Sequence, residues 1–486
     1  MKRIPVRMAS IVATLGPASS DEATLGRLID AGIDVARLNF AHGDHATHAE
    51  VVARLRRLAE ARGRYVAVLQ DLAGPKLRLT VRGGDPVPVS RGGRIVLHRA
   101  LPEAGGPADL APTWPGLVDD AAVGEPILFG DGAVRTRVAE KAADRLVLEC
   151  EDDGALAPGM GINVPETHLS LTAMTDRDWR DLEWGIAHEV EYVGLSFVRS
   201  ADDVRAVKAF IAKAGADVHV IAKIEKPQAV DDIDAILAES DGLMVARGDL
   251  GVEMDVARVP IIQKDLIRRA AAAAMPVITA TQMLQSMMNE PRPTRAEVSD
   301  VANAVFDGSD AVMLSGETAV GRYPVRAVEM MDHIIDLSED YADRAAWPAP
   351  SAVQDRYVWS ERAIVVGASG IARHLEVALV VVLTHSGATA LLVSKQWLGV
   401  PILAVSDSVR TCRRMALYRG VVPVHSPAFI RNEDVASQVE RMALDRKLVA
   451  PGDRMLIISG YFPGQPGSTD MLRVHTVSGS EARNSP

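Results

Sequence analysis

The sequence contains few cysteines, few aromatic residues and no long apolar run. Its two cysteines, Cys150 and Cys412, lie far apart without metal-ligand spacing, which argues against a disulfide framework and favours a reducing cytoplasm. The longest apolar run, residues 377–383, has strand length and falls short of the roughly 18 residues that a membrane span needs. We therefore expect a cytoplasmic protein with no membrane partner. Its cores must use Ala, Val, Leu and Ile, because aromatic residues make up only 4% of the chain.

Positive charge is also scarce. The 53 Lys and Arg residues are outnumbered by 64 Asp and Glu residues, which gives a formal net charge of −11. An acidic chain without a basic tract is a poor candidate for binding nucleic acid or an anionic membrane surface. If the ligands are phosphorylated, local arginine, lysine or metal must overcome the overall negative field.

The spacing of apolar residues predicts an α/β barrel that is interrupted by a β domain. Strand-like and helix-like stretches alternate up to about residue 71, and the same alternation returns after about residue 170. Together they supply about eight strands, the number that a (β/α)₈ TIM barrel requires. The Gly- and Pro-rich segment between them carries short β-like runs. We assign residues 1–73 and 170–342 to the barrel and residues 74–169 to a small inserted β-barrel lid domain.

A linker is predicted near residues 345–350, where the chain is rich in Pro and Ala. Beyond it, six apolar stretches, the first at 363–369, predict an α/β domain with an open sheet over residues 351–486. The loop THSGAT (384–389) follows a predicted strand and offers hydroxyls and amides of the kind that bind phosphate. One short loop with a glycine is weak evidence, so a simple turn and an effector site both stay open.

Polar side chains follow almost every predicted strand of the barrel. In barrels of this type, reactive groups collect at the C-terminal ends of the strands. Any single charged residue there is more often a cap or a surface group, but a purely structural barrel would not need the whole series. The series consists of Arg37, Asn39, Asp71, Ser196, Lys223, Glu225, Arg247, Asp249, Thr281, Ser315 and Glu317.

Two carboxylates in this series, Glu225 and Asp249, follow neighbouring strands. Converging carboxylates suit a hard divalent cation that keeps positions open for substrate oxygens. Lys223 precedes Glu225 by two residues, so strand alternation sends both side chains into the mouth of the barrel. There the lysine could neutralise charge on a transferring phosphoryl group. A salt bridge from Lys223 to Glu225 or Asp249 with no catalytic duty is the alternative.

Several segments resemble the pyruvate kinase family and keep its order along the chain. They include IVATLGPAS (11–19), DVARLNFAHG (34–43), AKIEK (222–226), MVARGDLGVE (244–253) and RPTRAEVSDVAN (292–303). The resemblance extends from near the first residue to the last. It implies the last step of glycolysis, in which phosphoenolpyruvate and ADP give pyruvate and ATP with Mg²⁺ or Mn²⁺. It also implies a homotetramer and a sugar-phosphate or nucleotide effector on the C-terminal domain.

The resemblance assigns roles around the transferring group. Lys223 matches the lysine that stabilises the phosphoryl group, and Glu225 and Asp249 match the metal ligands. The amides of Gly248 and Asp249 and the hydroxyl of Thr281 match the groups that bind the substrate carboxylate. These assignments agree with a reaction that needs positioning and charge neutralisation.

Further roles follow from the same resemblance. Arg37 matches the arginine on the substrate phosphate, and Ser315 and Glu317 match the pair that is linked to protonation of the enolate. The expected nucleotide-side residues are Arg78, His42 and Asn39.

The sequence departs from the family pattern at the expected K⁺ site. Ala41 and Leu72 stand where the family usually has a serine and a threonine, so two oxygen ligands are missing. Lys76 stands where many members have glutamate. The remnant site, Asn39, Asp71 and Lys76, therefore predicts an enzyme that does not require K⁺. Met160 also stands where the family usually has a lysine on the nucleotide phosphates, so we expect the lid to lack this contact.

Two other functions remain as alternatives. A Mg²⁺-dependent lyase or aldolase that forms an enolate would also use a Glu/Asp pair and an arginine. It would need neither Lys223 beside the metal nor an inserted lid. A non-catalytic metabolite sensor of the same fold would explain the losses at Ala41 and Met160, but the retained Lys223 and Thr281 weigh against it.

Overall fold

The computed structural model describes residues 6–342, 359–427, 435–460 and 469–478. The predicted linker at 345–350 lies outside these ranges. The chain begins with strands and helices in strict alternation: β1 (Ser10–Leu15), α1 (Glu22–Asp30), β2 (Val35–Asn39), α2 (His45–Glu60) and β3 (Ala67–Asp71). Both helices start at an aspartate whose side chain caps a free backbone amide, Asp21 to Thr24 N and Asp44 to Thr47 N.

The β segment that follows consists of short strands and one helical turn: β4 (Leu79–Val81), β5 (Val87–Val89), β6 (Arg94–His98), β7 (Leu110–Pro112), α3 (Leu117–Asp120), β8 (Pro126–Phe129), β9 (Val134–Lys141), β10 (Arg145–Cys150), β11 (Gly154–Leu156) and β12 (Ile162–Asn163). Seven of these strands form a sheet in the order β12-β8-β9-β10-β6-β7-β4. Its two edges meet through hydrogen bonds from Leu79 N to Met160 O and from Ile162 N to Leu77 O. The sheet therefore curls as a small barrel does, around its own apolar core.

The α/β alternation then resumes: α4 (Asp176–Ala187), β13 (Tyr192–Leu195), α5 (Ala201–Lys213), β14 (His219–Ile224), α6 (Pro227–Asp231), α7 (Ile233–Glu239), β15 (Gly242–Ala246), α8 (Arg247–Glu253), α9 (Val259–Ala272), β16 (Val277–Ala280), α10 (Arg295–Asp307), β17 (Ala311–Leu314), α11 (Gly316–Ala319) and α12 (Pro324–Ala342). Two 3₁₀ turns, Val256–Arg258 and Gln285–Met288, lie in the connections. The eight parallel strands close in the order β1-β17-β16-β15-β14-β13-β3-β2. The predicted (β/α)₈ barrel is confirmed.

The C-terminal part is an open-sheet α/β domain, as predicted: α13 (Trp359–His374), β18 (Leu379–Leu383), α14 (Ala388–Ser394), β19 (Ile402–Ser406), α15 (Val409–Met415), β20 (Val421–His425), α16 (Val435–Asp445), β21 (Arg454–Gly460) and β22 (Thr469–Thr476). The sheet order is β20-β19-β18-β21-β22, with only β22 antiparallel. One of the six apolar stretches that predict this sheet is not a strand. The first apolar stretch, 363–369, is helical and belongs to α13, since Val365, Ala368 and Ala372 are buried at helical spacing while Val366 is exposed.

The C-terminal domain packs against the floor of the barrel. One apolar cluster includes Val12, Leu69 and Tyr192 from the barrel interior together with residues of the C-terminal domain. A buried ion pair joins Lys395 to Asp310 across this contact. The opposite end of the barrel, where the strands end, faces the inserted β domain. Among the described residues, no helix combines the length and apolarity needed to cross a bilayer.

Candidate active site

The C-terminal mouth of the barrel holds a buried lysine between two carboxylates. Lys223 Nζ lies 2.8 Å from Glu225 Oε1 and 3.0 Å from Asp71 Oδ1. It also donates a hydrogen bond of 2.7 Å to Ser196 Oγ. Lys223 and Glu225 meet because alternation at the end of β14 points both side chains into the mouth. Of the two ion pairs considered as the alternative to a catalytic role, the one from Lys223 to Glu225 is present, and Asp71 is a further partner that no local pattern indicates.

Burial and ion pairing act in opposite directions on the pKa values of this cluster. Burial alone would lower the pKa of Lys223, but Asp71 and Glu225 raise it above its ordinary value. Burial would likewise raise the pKa of Asp71, yet Arg37 and Lys223 lower it. Asp71 and Lys223 are therefore both charged at neutral pH. A fixed positive charge in a buried site suits a reaction in which negative charge moves.

Arg37 brings a second positive charge to the same carboxylate. Its Nε lies 2.6 Å from Asp71 Oδ2, and its Nη1 donates a hydrogen bond of 2.9 Å to Thr14 Oγ1. β2 and β3 pair in parallel, so Arg37 and Asp71 reach the mouth from neighbouring strands. Asp71 thereby orients both cations. Two oriented cations at one end of the barrel are suited to a doubly charged group such as a phosphate.

Glu225 and Asp249 fit a divalent cation. Glu225 Oε2 accepts a hydrogen bond of 2.9 Å from Phe197 N, and Asp249 lies in the first turn of α8 after the neighbouring strand β15. Burial raises the pKa of Glu225, Lys223 opposes that shift, and the charge of Asp249 adds to it. A cation between the two carboxylates would relieve this repulsion. No cluster of three or more metal-ligating side chains occurs in the described ranges. The pair therefore suits Mg²⁺, which takes its other ligands from substrate and water.

Thr281 and Gly248 meet beside the carboxylates. Gly248 N donates a hydrogen bond of 2.7 Å to Thr281 Oγ1, so the hydroxyl lies at the start of α8. Thr281 has a left-handed φ of 72°, which is costly for a β-branched residue and is typical of functional sites. Arg247 supports this backbone, since its Nη2 donates a hydrogen bond of 2.7 Å to Thr281 O while its Nη1 lies 2.7 Å from Asp300 Oδ1. The predicted carboxylate-binding groups are thus brought together.

Ser315 follows β17 as the N-cap residue of α11, and Glu317 lies in the first turn of that helix. Glu317 is fully buried; its Oε2 accepts a hydrogen bond of 2.7 Å from Ser315 N, and its Oε1 accepts one of 3.1 Å from Leu284 N. The Ser315 Oγ is buried and has no hydrogen-bond partner among the described residues. The Glu317 carboxylate thus fixes the backbone of Ser315 and leaves its hydroxyl free to donate a proton to a bound group.

The nucleotide-side residues lie on separate elements. Arg78 is exposed in the inserted domain, and its Nη1 donates a hydrogen bond of 3.0 Å to Gly159 O. His42 is exposed in the loop after β2, and its carbonyl accepts a hydrogen bond of 2.9 Å from His48 Nε2. Met160 contacts Gly130, where an added Cβ would lie 2.3 Å from the Met160 Cε. This methionine therefore packs within the inserted domain.

The remnant cation site is divided between the two domains. Asn39 Oδ1 accepts a hydrogen bond of 3.1 Å from Ala41 N, and the Leu72 side chain is buried. Lys76 Nζ lies 3.8 Å from Asp131 Oδ1 of the inserted domain and lines the cleft between that domain and the barrel. In this arrangement the Lys76 ammonium is directed toward the inserted domain.

Three residues next to the proposed metal ligands, Glu253, Lys226 and Asn163, form a contact that the sequence alone did not indicate. Glu253 Oε1 lies 2.5 Å from Lys226 Nζ and accepts a hydrogen bond of 2.8 Å from Asn163 Nδ2. Glu253 follows Asp249 by four residues on α8, and this spacing is the one signal that could have indicated it. The contact with Asn163 joins residues 90 positions apart, which no local pattern reveals.

Comparisons with known proteins identify the family to which the chain is similar. The family model "Pyruvate kinase, barrel domain" matches residues 6–328, and "Pyruvate kinase, alpha/beta domain" matches residues 362–475. The pyruvate kinase of Agrobacterium vitis is 41% identical, with 98% of each chain covered. That of Geobacillus stearothermophilus is 40% identical, with 97% of this chain and 81% of the relative covered.

A solved structure is similar over the same extent. The crystal structure of a pyruvate kinase from Cryptosporidium parvum has a TM-score of 0.89 at 31% identity, and the match covers 97% of this chain and 96% of the other. The family models together span the barrel and the C-terminal domain, and the relatives align over nearly the whole chain. The chain therefore belongs to the pyruvate kinase family.

Proposed function

We propose that this chain transfers a phosphoryl group from phosphoenolpyruvate to ADP, with Mg²⁺ or Mn²⁺ held by Glu225 and Asp249. The observation that carries the proposal is the Lys223 ammonium, which lies between Asp71 and Glu225 in the mouth of the barrel. When bound, the metal ion would add positive charge on the transferring group and order the substrate oxygens. All other roles fall to the side chains and amides of the chain itself.

These groups divide the reaction between them. Arg37 and Lys223 hold the phosphate and neutralise its charge as it leaves the enolate oxygen. The start of α8, with the amides of Gly248 and Asp249 and the hydroxyl of Thr281, orients the substrate carboxylate. Once the phosphoryl group has moved, the enolate needs a proton at its methylene carbon. The Ser315 hydroxyl, whose backbone amide is held by the buried Glu317, is the proton donor that we assign, acting through a water molecule.

We further propose that residues 74–169 act as a lid that closes over the nucleotide and excludes water. Arg78 would then approach His42 and Asn39 on the barrel side. A homotetramer and an effector at residues 384–389 stay predictions from the family resemblance, and a cytoplasmic location stays a prediction from the low cysteine content and the lack of a long apolar run. That segment ends in the first two residues of α14, and the left-handed φ of 87° at its N-cap residue Gly387 is compatible with a simple turn.

A coupled assay for pyruvate, with phosphoenolpyruvate, ADP and Mg²⁺, tests the proposal. Lys223→Met should lower turnover by about 10³-fold, as expected when one preorganised charge is lost from a buried site. Lys213→Met, which removes an exposed lysine at the end of α5, is the matched control and should be unchanged. An aldolase would not produce pyruvate in an ADP-dependent manner, and a sensor would produce none. Near-normal turnover by Lys223→Met would refute the role of this lysine.

A further inference from the structure

Glu253 is a buried carboxylate at which three separate parts of the molecule meet. Its side chain is 1% exposed, and its Oε1 lies 2.5 Å from Lys226 Nζ, which is itself 10% exposed. The same oxygen accepts a hydrogen bond of 2.8 Å from Asn163 Nδ2, on the last strand of the inserted domain. Charged groups are buried this deeply only when they are paired, so the cluster has a defined geometry.

Both barrel residues of this cluster are directly connected to the proposed metal ligands. Glu253 and Asp249 are four residues apart on α8 and therefore share one face of the helix, one turn apart. Lys226 follows Glu225 at the end of β14, where its extended backbone sends the two side chains in opposite directions. The Lys226–Glu253 ion pair thus ties the element that carries Asp249 to the segment that carries Glu225.

The third member, Asn163, connects this ion pair to the inserted domain. Its hydrogen bond to Glu253 spans the cleft between that domain and the barrel. Each of the two side chains also has a second oxygen without a partner. Glu253 Oε2 and Asn163 Oδ1 are both buried and have no hydrogen-bond partner among the described residues. Buried oxygens without partners lower the stability that this interdomain contact provides. The hydrogen bond between Asn163 and Glu253 can therefore be broken and replaced by a different contact when the inserted domain moves.

We infer that Glu253 is a positioning residue with two functions. Through Lys226 it sets the spacing between Glu225 and Asp249, and through Asn163 it latches the inserted domain to the barrel. The inference rests on the proposed function only in taking Glu225 and Asp249 as ligands of a divalent cation. Lys226 takes part only in the first function and Asn163 only in the second, and both residues contact Glu253. The two functions can therefore be separated by mutation.

Binding of Mn²⁺ to the full chain without substrate measures the first function independently of turnover. Glu253→Gln and Lys226→Met should each raise the Mn²⁺ Kd about 10-fold, the lower end of the loss seen when supports of metal ligands are removed. Lys226→Arg keeps the charge and should stay within about threefold of the unchanged protein. The matched control is Glu239→Gln, which removes a carboxylate that pairs with Arg205 on the outer face of the barrel.

Hydrogen exchange of the free protein measures the second function. Asn163→Ala should leave the Mn²⁺ Kd within about twofold but speed exchange at residues 159–171, because the latch is lost. Glu253→Leu, which removes the accepting oxygen, should show both effects. Glu253→Gln, whose amide oxygen can still accept from Asn163, and Lys226→Met should show only the first. If Glu253→Gln does not fold, the double variant Lys226→Met with Glu253→Leu removes both charges and should still show the weaker Mn²⁺ binding.

Two outcomes would overturn the inference. One is an unchanged Mn²⁺ Kd in folded Glu253→Gln or in the double variant; the other is unchanged exchange in Asn163→Ala. A chain that makes no pyruvate but shows the expected Mn²⁺ pattern would refute the proposed function and leave the role of Glu253 standing. Normal turnover of the unchanged protein, together with an unchanged Mn²⁺ Kd in the Glu253 and Lys226 variants, would support the proposed function and refute the role of Glu253.

Discussion

The buried carboxylate of Asp71 orients both cations of the site, Lys223 at 3.0 Å and Arg37 at 2.6 Å. Asp71 and Lys223 belong to strands β3 and β14, which are separated by β13 in the barrel. They meet over Gly194, where an added Cβ would lie 3.4 Å from Asp71 Oδ1 and 3.6 Å from Lys223 Cδ. A local alternation rule predicts the Lys223–Glu225 pair but cannot reveal a contact across an intervening strand.

The assignment of Glu225 and Asp249 as metal ligands can be tested by mutation. Glu225→Gln and Asp249→Asn each remove one anionic oxygen ligand, so each should raise the Mg²⁺ concentration for half-maximal activity at least about 10-fold. The measurement is a titration of turnover against Mg²⁺ at saturating substrates. Asp202→Asn, at an exposed position on α5, is the control. Half-saturation that does not move in either variant would place the metal elsewhere.

Ser315 allows function and stability to be separated. Because its buried hydroxyl has no partner among the described residues, Ser315→Ala should leave the thermal midpoint unchanged or slightly raised. If the hydroxyl helps to protonate the enolate, turnover should fall about 10²-fold, the lower end for general acid catalysis. Thermal unfolding and the pyruvate assay on the same preparation check both halves. A fall in stability with normal turnover would show a purely structural hydroxyl.

Among the elements, α8 and α13 differ in how well the sequence predicts them. The short helix α8 begins directly after β15, where Gly248 and Asp249 follow a strand end in a pattern typical of a βα turn. In α13 the β-branched run at 364–366 resembles a strand, and only the burial of Val365, Ala368 and Ala372 reveals the helix. A short apolar run does not distinguish a strand from a buried helix until its packing partner is known.

The start of β14 carries a histidine whose ionisation should influence stability. Burial lowers the pKa of His219 to about 4, and the positive charge of Arg414 adds to this shift while Asp241 and Asp217 oppose it. The neutral form is therefore favoured in the folded state. The unfolded chain, with an ordinary histidine pKa, therefore binds a proton before the folded protein does. The free energy of unfolding is unaffected by His219 above about pH 6.5 and decreases as the pH falls from there toward 4.

Replacing this histidine should flatten the pH dependence of stability. Between pH 6.5 and 4, the free energy of unfolding of His219→Gln should fall less than that of the unchanged protein. The difference should be at most about 3 kcal/mol, because one pKa unit corresponds to about 1.4 kcal/mol. Urea unfolding at several pH values gives the comparison, with His333→Gln at an exposed position on α12 as control. Parallel curves for His219→Gln and the unchanged protein would contradict the assignment.

In the whole molecule, the barrel is placed between a domain that packs on its floor and a domain that faces its mouth. The sequence allowed both domains to be predicted, because the change from α/β alternation to short β runs is visible in composition alone. It could not show how the inserted domain touches the barrel. Those contacts, such as that of Asn163 with Glu253, join residues that are far apart in the chain, and neither residue belongs to a sequence pattern that would indicate the contact.

The cleft between these two domains also contains Lys76, on which the K⁺ prediction depends. Ala41 and Leu72 cannot supply the oxygens that the family's cation requires, so a K⁺ ion would have to lose its hydration for few ligands. Lys76 Nζ lies 3.8 Å from Asp131 Oδ1 and is partly exposed, a weak pairing that closure of the inserted domain could replace. A lysine carried into the mouth would supply from within the chain the positive charge that other members take from solution.

We therefore expect turnover in a tetramethylammonium buffer free of K⁺ and Na⁺ to be close to that with added KCl. Lys76→Glu should lose activity, and KCl should restore little of it, because Ala41 and Leu72 still lack oxygens. Lys141→Met, which removes a lysine elsewhere in the inserted domain, is the control for a general loss of charge. Activation of the unchanged protein by KCl on the order of 10²-fold would refute the prediction, since that is the effect of restoring one well-placed charge. In that case backbone carbonyls must complete a K⁺ site, and Lys76 would remain paired with Asp131 throughout the reaction.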